Sequence, residues 1–217
     1  MAGMHWAEQL RLKEKIHERY PTVWNLKIVR KRLPVILDHL RDGESVLEIG
    51  AFDRGLEERI KRRYPRVLYR SLDTDPTYPH DYSSFEEVKE PFDMVLLFEV
   101  IEHLSLEEGR DMIRNIHRAL VPGGRVIMTT PNVYTPGQYW KDVSHRVPYH
   151  YKELGALLLA QPFELLGMFR LYNAPGVTFA TKVFLFSPFF RLLGIDFTRS
   201  ILFVARKPEG GEEGRRP

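Results

Sequence analysis

The run Asp93-Met94-Val95-Leu96-Leu97-Phe98 places five apolar residues in a row after Asp93 and leaves no polar position among them for a wet face. Such a run is too short for a buried helix and reads as a strand covered on both sides. Arg125 to Thr130, after Pro122-Gly123-Gly124, has the same character. Two strands of this kind require helices on both faces of a mostly parallel sheet, so the chain reads as α/β with a Rossmann-like, doubly wound architecture.

The remaining elements follow from periodicity and punctuation. Val46 to Gly50 and Val67 to Leu72 read as strands, with a helix at Leu56 to Tyr64 between them. Ser105 with Glu108 three residues on forms a capping box opening a helix to Leu120. Tyr151 to Ala160 reads as a helix, and Phe163 to Tyr172 and Thr198 to Arg206 as strands. The last pair lacks a crossover helix, so the final strand is expected to run antiparallel. The stretch between the second strand and Asp93 is short, which predicts an abbreviated helix and a stub strand near Tyr78 to Tyr82. At the N-terminus, Trp6 to Tyr20 predicts one helix and Thr22 to Leu40 a second, kinked or split by Pro34. Residues 1–44 are thus expected as N-terminal helices packing on or capping the site. Residues 45–207 form the main domain with an apolar insertion at 174–196, and 208–217 a disordered tail.

A length of 217 residues fits one large domain. Cysteine is absent, which excludes a disulfide framework and a thiolate nucleophile. The opening residues lack the apolar core of a signal peptide, and no apolar run approaches a membrane span, so the expected location is cytoplasmic. A net charge of +3 permits an anionic partner without requiring one.

In an open parallel sheet, ligands bind beyond the carboxyl ends of the strands where strand order reverses. The first main-domain strand ends in Glu48-Ile49-Gly50-Ala51-Phe52-Asp53-Arg54-Gly55 and enters a helix directly. Gly50 suits a tight turn, and Gly55 opens a helix whose first amides face a ligand carboxylate. A dinucleotide site needs glycine where Phe52 stands, so a ligand without phosphates fits better. Asp73 ends the next strand at the spacing of a carboxylate that grips ribose hydroxyls, with Asp75 as competitor. The bland alternative is that both acids cap a turn.

The ordered blocks VLEIG at 46–50, LDTDP at 72–76, HDY at 80–82, FDMVLLFEVIEHL at 92–104, HRALVPGGRVIMTTPN at 117–132, DVSHRVPY at 142–149 and SILFVARKP at 200–208 cover most of the chain. In this order they resemble class I S-adenosylmethionine (AdoMet)-dependent methyltransferases, most closely the ubiquinone-biosynthesis O-methyltransferase type. The resemblance implies AdoMet as cofactor. It places the methionine part at Glu48, Gly50 and the neighbouring Ala51, Phe52 and Gly55, and the ribose at Asp73 and Thr74. Asp81 and Tyr82 would lie beside the adenine, and Phe98 and Glu99 beside the sulfonium. The family writes its first motif E/D-x-G-x-G-x-G, whereas this chain keeps Gly50 and a displaced Gly55.

The same resemblance implies a divalent ion, Mg²⁺ or Mn²⁺ before Zn²⁺, on Glu99, Glu102, His103 and His145. The first three share one face if the chain turns helical there. Against this stands the reading that His103 only caps the turn. Without a metal, His145 is the first candidate for general base, with Tyr149 second and Glu99 at the reacting centre. His117 and His150 look structural.

The insertion concentrates Phe179, Phe184, Phe186, Phe189 and Phe190 with Lys182 and Arg191. It reads as a lid over an apolar substrate, a peripheral membrane contact or a homodimer surface. The expected acceptor is a hydroxyl on a small or lipid-like molecule. An RNA 2′-O-methyltransferase is the alternative, although scattered arginines argue against a nucleic-acid partner. A catalytically silent binding module of the same fold is the third reading.

Overall fold

A computed structural model describes residues 6–172 and 181–210 of the chain. Seven strands, β1 (Lys27–Val29), β2 (Ser45–Ile49), β3 (Leu68–Leu72), β4 (Phe92–Phe98), β5 (Leu120–Pro131), β6 (Glu164–Leu171) and β7 (Ser200–Arg206), form one sheet ordered β1-β6-β7-β5-β4-β2-β3. Every pairing is parallel except those of β7, which runs antiparallel to β5 and β6. The mostly parallel, doubly wound sheet with a reversed last strand is therefore as expected.

Alternation within the central strands divides the apolar side chains between two cores. Leu47, Ile49, Val95, Leu97 and Met128 face α4 (Leu106–Ala119), α5 (Tyr151–Ala160) and, through Ile16, α1 (Trp6–Arg19). Val46, Met94, Leu96, Phe98 and Ile127 face α2 (Arg32–His39) and α3 (Gly55–Lys61). Burial on both sides is the reason these strands carry no polar face. The Ser105 hydroxyl accepts from the Glu108 amide at 3.3 Å, and the Glu108 carboxylate accepts from the Ser105 amide at 2.7 Å, completing the capping box that opens α4.

From β2 the chain passes to β3 on one side and then returns to β4 on the other. This reversal opens a crevice beyond the carboxyl ends of β2 and β4.

Two expectations need correction. Thr22 to Leu40 is not one kinked helix. It holds a short 3₁₀ turn at Val23–Asn25, then β1 and then α2. Pro34 sits in the first turn of α2, where its missing N–H has no partner to lose, so it starts a helix instead of bending one. The stub at Tyr78 to Tyr82 shrinks to a single parallel bridge between Leu72 and Tyr82. In the insertion, residues 173–180 lie outside the described residues. The rest forms a π-helical turn at Thr181–Phe186 and the short helix α6 (Ser187–Leu192). Residues 211–217 of the expected tail also lie outside the described residues. No helix among the described residues is long and apolar enough to cross a membrane.

Candidate functional site

The loop after β2 takes a left-handed backbone at every second residue: φ is 72° at Gly50, 46° at Phe52 and 57° at Arg54. These are the three glycine positions of the E/D-x-G-x-G-x-G pattern, so the loop keeps its course although two glycines are replaced. Gly50 is irreplaceable on a second count, since a Cβ there would meet Val100 Cγ2 at 2.4 Å. Left-handed φ at a bulky residue costs on the order of 1–3 kcal/mol and persists only where neighbours hold it. Here the Phe52 amide donates to Asp73 Oδ2 at 2.9 Å. The Arg54 guanidinium bridges Glu57 at 2.8 Å and Asp81 at 3.1 Å. The Phe52 ring is 60% exposed and meets Tyr78 edge-on, with ring centroids 5.1 Å apart.

Gly55 is not a displaced member of the pattern. It is the first residue of α3, and its amide is already taken by Asp53 Oδ1 at 2.8 Å, which leaves that N–H no capacity for a ligand. Arg54 was the legible signal, standing four residues after Gly50 in the alternate-residue register.

Asp73 accepts one backbone amide on each carboxylate oxygen, from Phe52 at 2.9 Å and from Asp75 at 3.0 Å. Each oxygen keeps a further lone pair, the geometry a vicinal diol needs. Asp75 is occupied with Thr77, and Thr74 is exposed beside Asp73. Asp81 is more heavily engaged. It accepts from the Ser71 amide and hydroxyl and from Arg54 and Arg70, which hold its pKa below the ordinary carboxylate range despite partial burial. The Tyr82 hydroxyl is bonded to Glu90. Both side chains are thus already engaged within the chain. Glu48 is buried, takes a hydrogen bond from the Tyr69 hydroxyl, and has its pKa pushed up to about 7 by desolvation. The sequence reading missed Tyr69. It also missed Arg32, whose guanidinium lies 4.5 Å from the Phe98 ring centre and acts electrostatically on both Glu48 and Glu99.

At the end of β4 the expected shared face does not form. Glu99 has φ 54°, and a 3₁₀ turn at Ile101–His103 follows, so Glu99 leaves the side on which Glu102 and His103 lie. Its carboxyl sits beside Thr129 and Ser200 with one oxygen buried and unpartnered, and burial raises its pKa. Glu102 is fully buried. Thr130 donates to one carboxyl oxygen at 3.3 Å, while Oε1 lacks a partner and stands 4.0 Å from His145 Nε2. Desolvation, with Glu99 as a second cause, pushes the Glu102 pKa up to about 8.

The loop at 142–147 is tied to this turn, because the Arg146 and Val147 amides both donate to the Glu102 carbonyl. His145 in this loop and His103 in the turn both have their tautomers set by hydrogen bonds. His145 Nδ1 donates to the Tyr139 carbonyl at 2.6 Å, which leaves Nε2 as the basic atom. The Ser144 hydroxyl donates to Asp142 at 2.6 Å and so accepts from His103 Nδ1 at 2.8 Å, leaving His103 Nε2 basic too. Ligand atoms of Glu102, His103 and His145 lie within 4.8 Å of one another. Two imidazoles oriented by outer hydrogen bonds and an unsatisfied carboxylate oxygen fit a divalent cation. Glu99 drops out of the expected ligand set. Tyr149 is 2% exposed, and its unpartnered hydroxyl points at Gly109 of α4, so it is not placed as a base.

The raised pKa of Glu102 makes stability depend on pH. Burial pushes its carboxyl from the ordinary value of 4.5 up to about 8 in the fold. The stability it contributes is fully present below the lower value and is lost as pH rises through the upper. Glu48 acts in the same direction. Glu102→Gln is expected to flatten the decline, so its Tm advantage over wild type grows between about pH 5 and about pH 9. Thermal melts across that interval check this, and a constant difference would refute it.

Beside Glu99 opens a cleft of about 510 Å³, walled by the start of α2, by α3, and by the facing ends of β6 and β7. Lys31, Arg32, Arg59 and Arg199 line it, with Gln138 and Glu99.

A family model described as a methyltransferase domain matches residues 17–178. A SAM-dependent methyltransferase from Archaeoglobus fulgidus superposes with a TM-score of 0.66 at 15% identity, covering 81% of this chain and 91% of that one. The N-methyltransferase NodS of Bradyrhizobium japonicum, solved with S-adenosyl-L-homocysteine (SAH), gives 0.52 at 16% identity over 77% of this chain and 80% of that one. The cyclase SpnF gives 0.55 at 19% identity over 92% and 81%. At such identities the likeness speaks for the fold alone, and one fold hosts several chemistries. No curated protein sequence matches the chain significantly.

Proposed function

The chain belongs to the methyltransferase-domain family as a class I AdoMet-dependent enzyme, and from that premise we propose that it methylates a hydroxyl of a small or lipid-like acceptor. The observation that carries the cofactor assignment is the cradle at the switch point, where three alternate left-handed residues deliver the Phe52 amide to Asp73. Strain of this kind is stored where a ligand needs the backbone close.

Bound AdoMet supplies a methyl group on a sulfonium, which an oxygen nucleophile takes by in-line displacement. The chain's own part is to orient and to move one proton. Asp73 holds the ribose hydroxyls, and Glu48, near the end of β2, serves the methionine end. His145 accepts the acceptor's hydroxyl proton at Nε2, the atom its bond to the Tyr139 carbonyl leaves free. Glu102, at 4.0 Å, stabilises the resulting imidazolium in its ionised form. A second reading is favoured by the preset tautomers of His103 and His145. These two with Glu102 would hold a divalent ion, whose charge would lower the pKa of the hydroxyl. Lipid-like acceptors gain support from the apolar surface of the insertion, where Leu185, Phe189, Leu192 and Leu193 are each more than 60% exposed.

Methyl transfer from radiolabelled AdoMet to a panel of hydroxylated acceptors tests the proposal. His145→Ala is expected to lower kcat by about 10²–10⁴-fold with SAH affinity unchanged. Chelation distinguishes the two readings, since loss of activity restored by Mg²⁺ or Mn²⁺ supports the ion. Label transferred to RNA rather than to any small acceptor would replace the small-molecule assignment. Failure to bind SAH would leave a silent module.

A further inference from the structure

The cleft beside Glu99 has an unbalanced charge. Four cations line it against a single carboxylate, and burial raises the pKa of that carboxyl, so it offsets them less. Lys31, Arg59 and Arg199 form no ion pair among the described residues, so the cleft itself supplies them no counter-charge beyond Glu99.

AdoMet does not correct the imbalance. Its amino and carboxylate groups cancel, and its sulfonium adds one more positive charge. Arg32, on the Phe98 ring and in electrostatic reach of Glu48 and Glu99, belongs to the cofactor side. Arg199 stands at the opposite wall, where its backbone bonds Leu171 at the end of β6 and Asn132 at the end of β5. Together with Lys31 at the entrance of α2, it is left without a counter-charge once the cofactor is in place.

We propose that the methyl acceptor is a small anion whose phosphate or carboxylate group is held by Arg199 and Lys31 while its hydroxyl lies at His145. This rests on the AdoMet reading above and names the class of acceptor that the same site takes. A polynucleotide fits less well, because Lys31, Arg59 and Arg199 converge on one concavity of about 510 Å³ instead of lying along an extended stripe. A cavity of that size suits a drug-sized molecule.

The test begins by titrating the full chain with SAH. The SAH-loaded protein is then titrated with phenyl phosphate, benzoate and benzyl alcohol, three aromatic probes that differ in charge. Binding of at least one anion about tenfold or more tighter than benzyl alcohol is the expected result, and which anion wins separates phosphate from carboxylate. Arg199→Gln and Lys31→Gln are expected to remove most of that preference while leaving SAH affinity unchanged, and Arg199→Lys to restore part of it. Equal binding of the neutral probe overturns the proposal. So does a loss of SAH affinity that matches the loss of anion affinity, since the cations would then serve the cofactor's own carboxylate. Displacement of phenyl phosphate by an RNA oligonucleotide with a steep salt dependence also overturns it. Absence of SAH binding in the first titration is a separate failure, of the cofactor reading, and takes this one with it.

Discussion

Asp73→Ala is expected to weaken SAH binding by about 1.5–3 kcal/mol, roughly 10- to 150-fold, the scale of hydrogen bonds to a charged group. Two losses combine. The ribose hydroxyls lose their carboxylate, and the Phe52 amide, donated to Asp73 Oδ2 at 2.9 Å, loses the acceptor that offsets its left-handed backbone. Asp73→Asn separates these contributions, because its one remaining carbonyl oxygen can still receive the Phe52 amide or a hydroxyl but not the full set. Calorimetric titration of both variants should rank them wild type, Asn, Ala in falling affinity. An unchanged affinity in the alanine variant would move the ribose role to Asp75, whose carboxylate is at present engaged by Thr77.

The largest effect on stability is expected away from the crevice. Asp196 is 1% exposed and Arg170 7%, and they form an ion pair at 3.0 Å. Asp196 also accepts from Asn132 at 2.8 Å and Thr198 at 2.6 Å, while Arg170 donates to the Leu26 carbonyl at 3.0 Å. This network ties the ends of β5 and β6 to the turn before β1 and to the approach into β7. Asp196→Ala would leave a buried guanidinium uncompensated, at a cost of about 3–5 kcal/mol in the free energy of unfolding. Urea denaturation measures it, and a loss below about 1 kcal/mol would show that Arg170 escapes to solvent. The double change Asp196→Leu with Arg170→Met should recover most of the loss, since an apolar pair of similar volume carries no desolvation cost.

Much of the site was legible because its signals are short. Asp93 to Phe98 declares a doubly covered strand from six adjacent residues, Gly50 declares a tight turn, and Asp73 declares an acidic strand end at a countable distance. The parts that were not legible depend on residues far away in the chain. Lys27 to Val29 has apolar spacing that suits a helix, and it becomes a strand only because Phe169 to Leu171 offers a free edge. Phe52 and Arg54 are poor sequence candidates for left-handed turns, and Asp73 and Asp81 hold them there. Glu99 shares an i, i+3, i+4 spacing with Glu102 and His103, yet one backbone angle removes it from their face.

The sequence alone therefore determined the class of fold, the place of the crevice and the carboxylate on its second strand, since periodicity and turn chemistry act over a few residues. Only the tertiary structure decided which candidates meet there. It brought His145 to Glu102 through the loop at 142–147, sent Tyr149 to Gly109, and gathered Lys31, Arg59 and Arg199 around one cleft. Those meetings join residues tens to more than a hundred positions apart, and their energies come from burial and charge, which no local pattern of letters encodes.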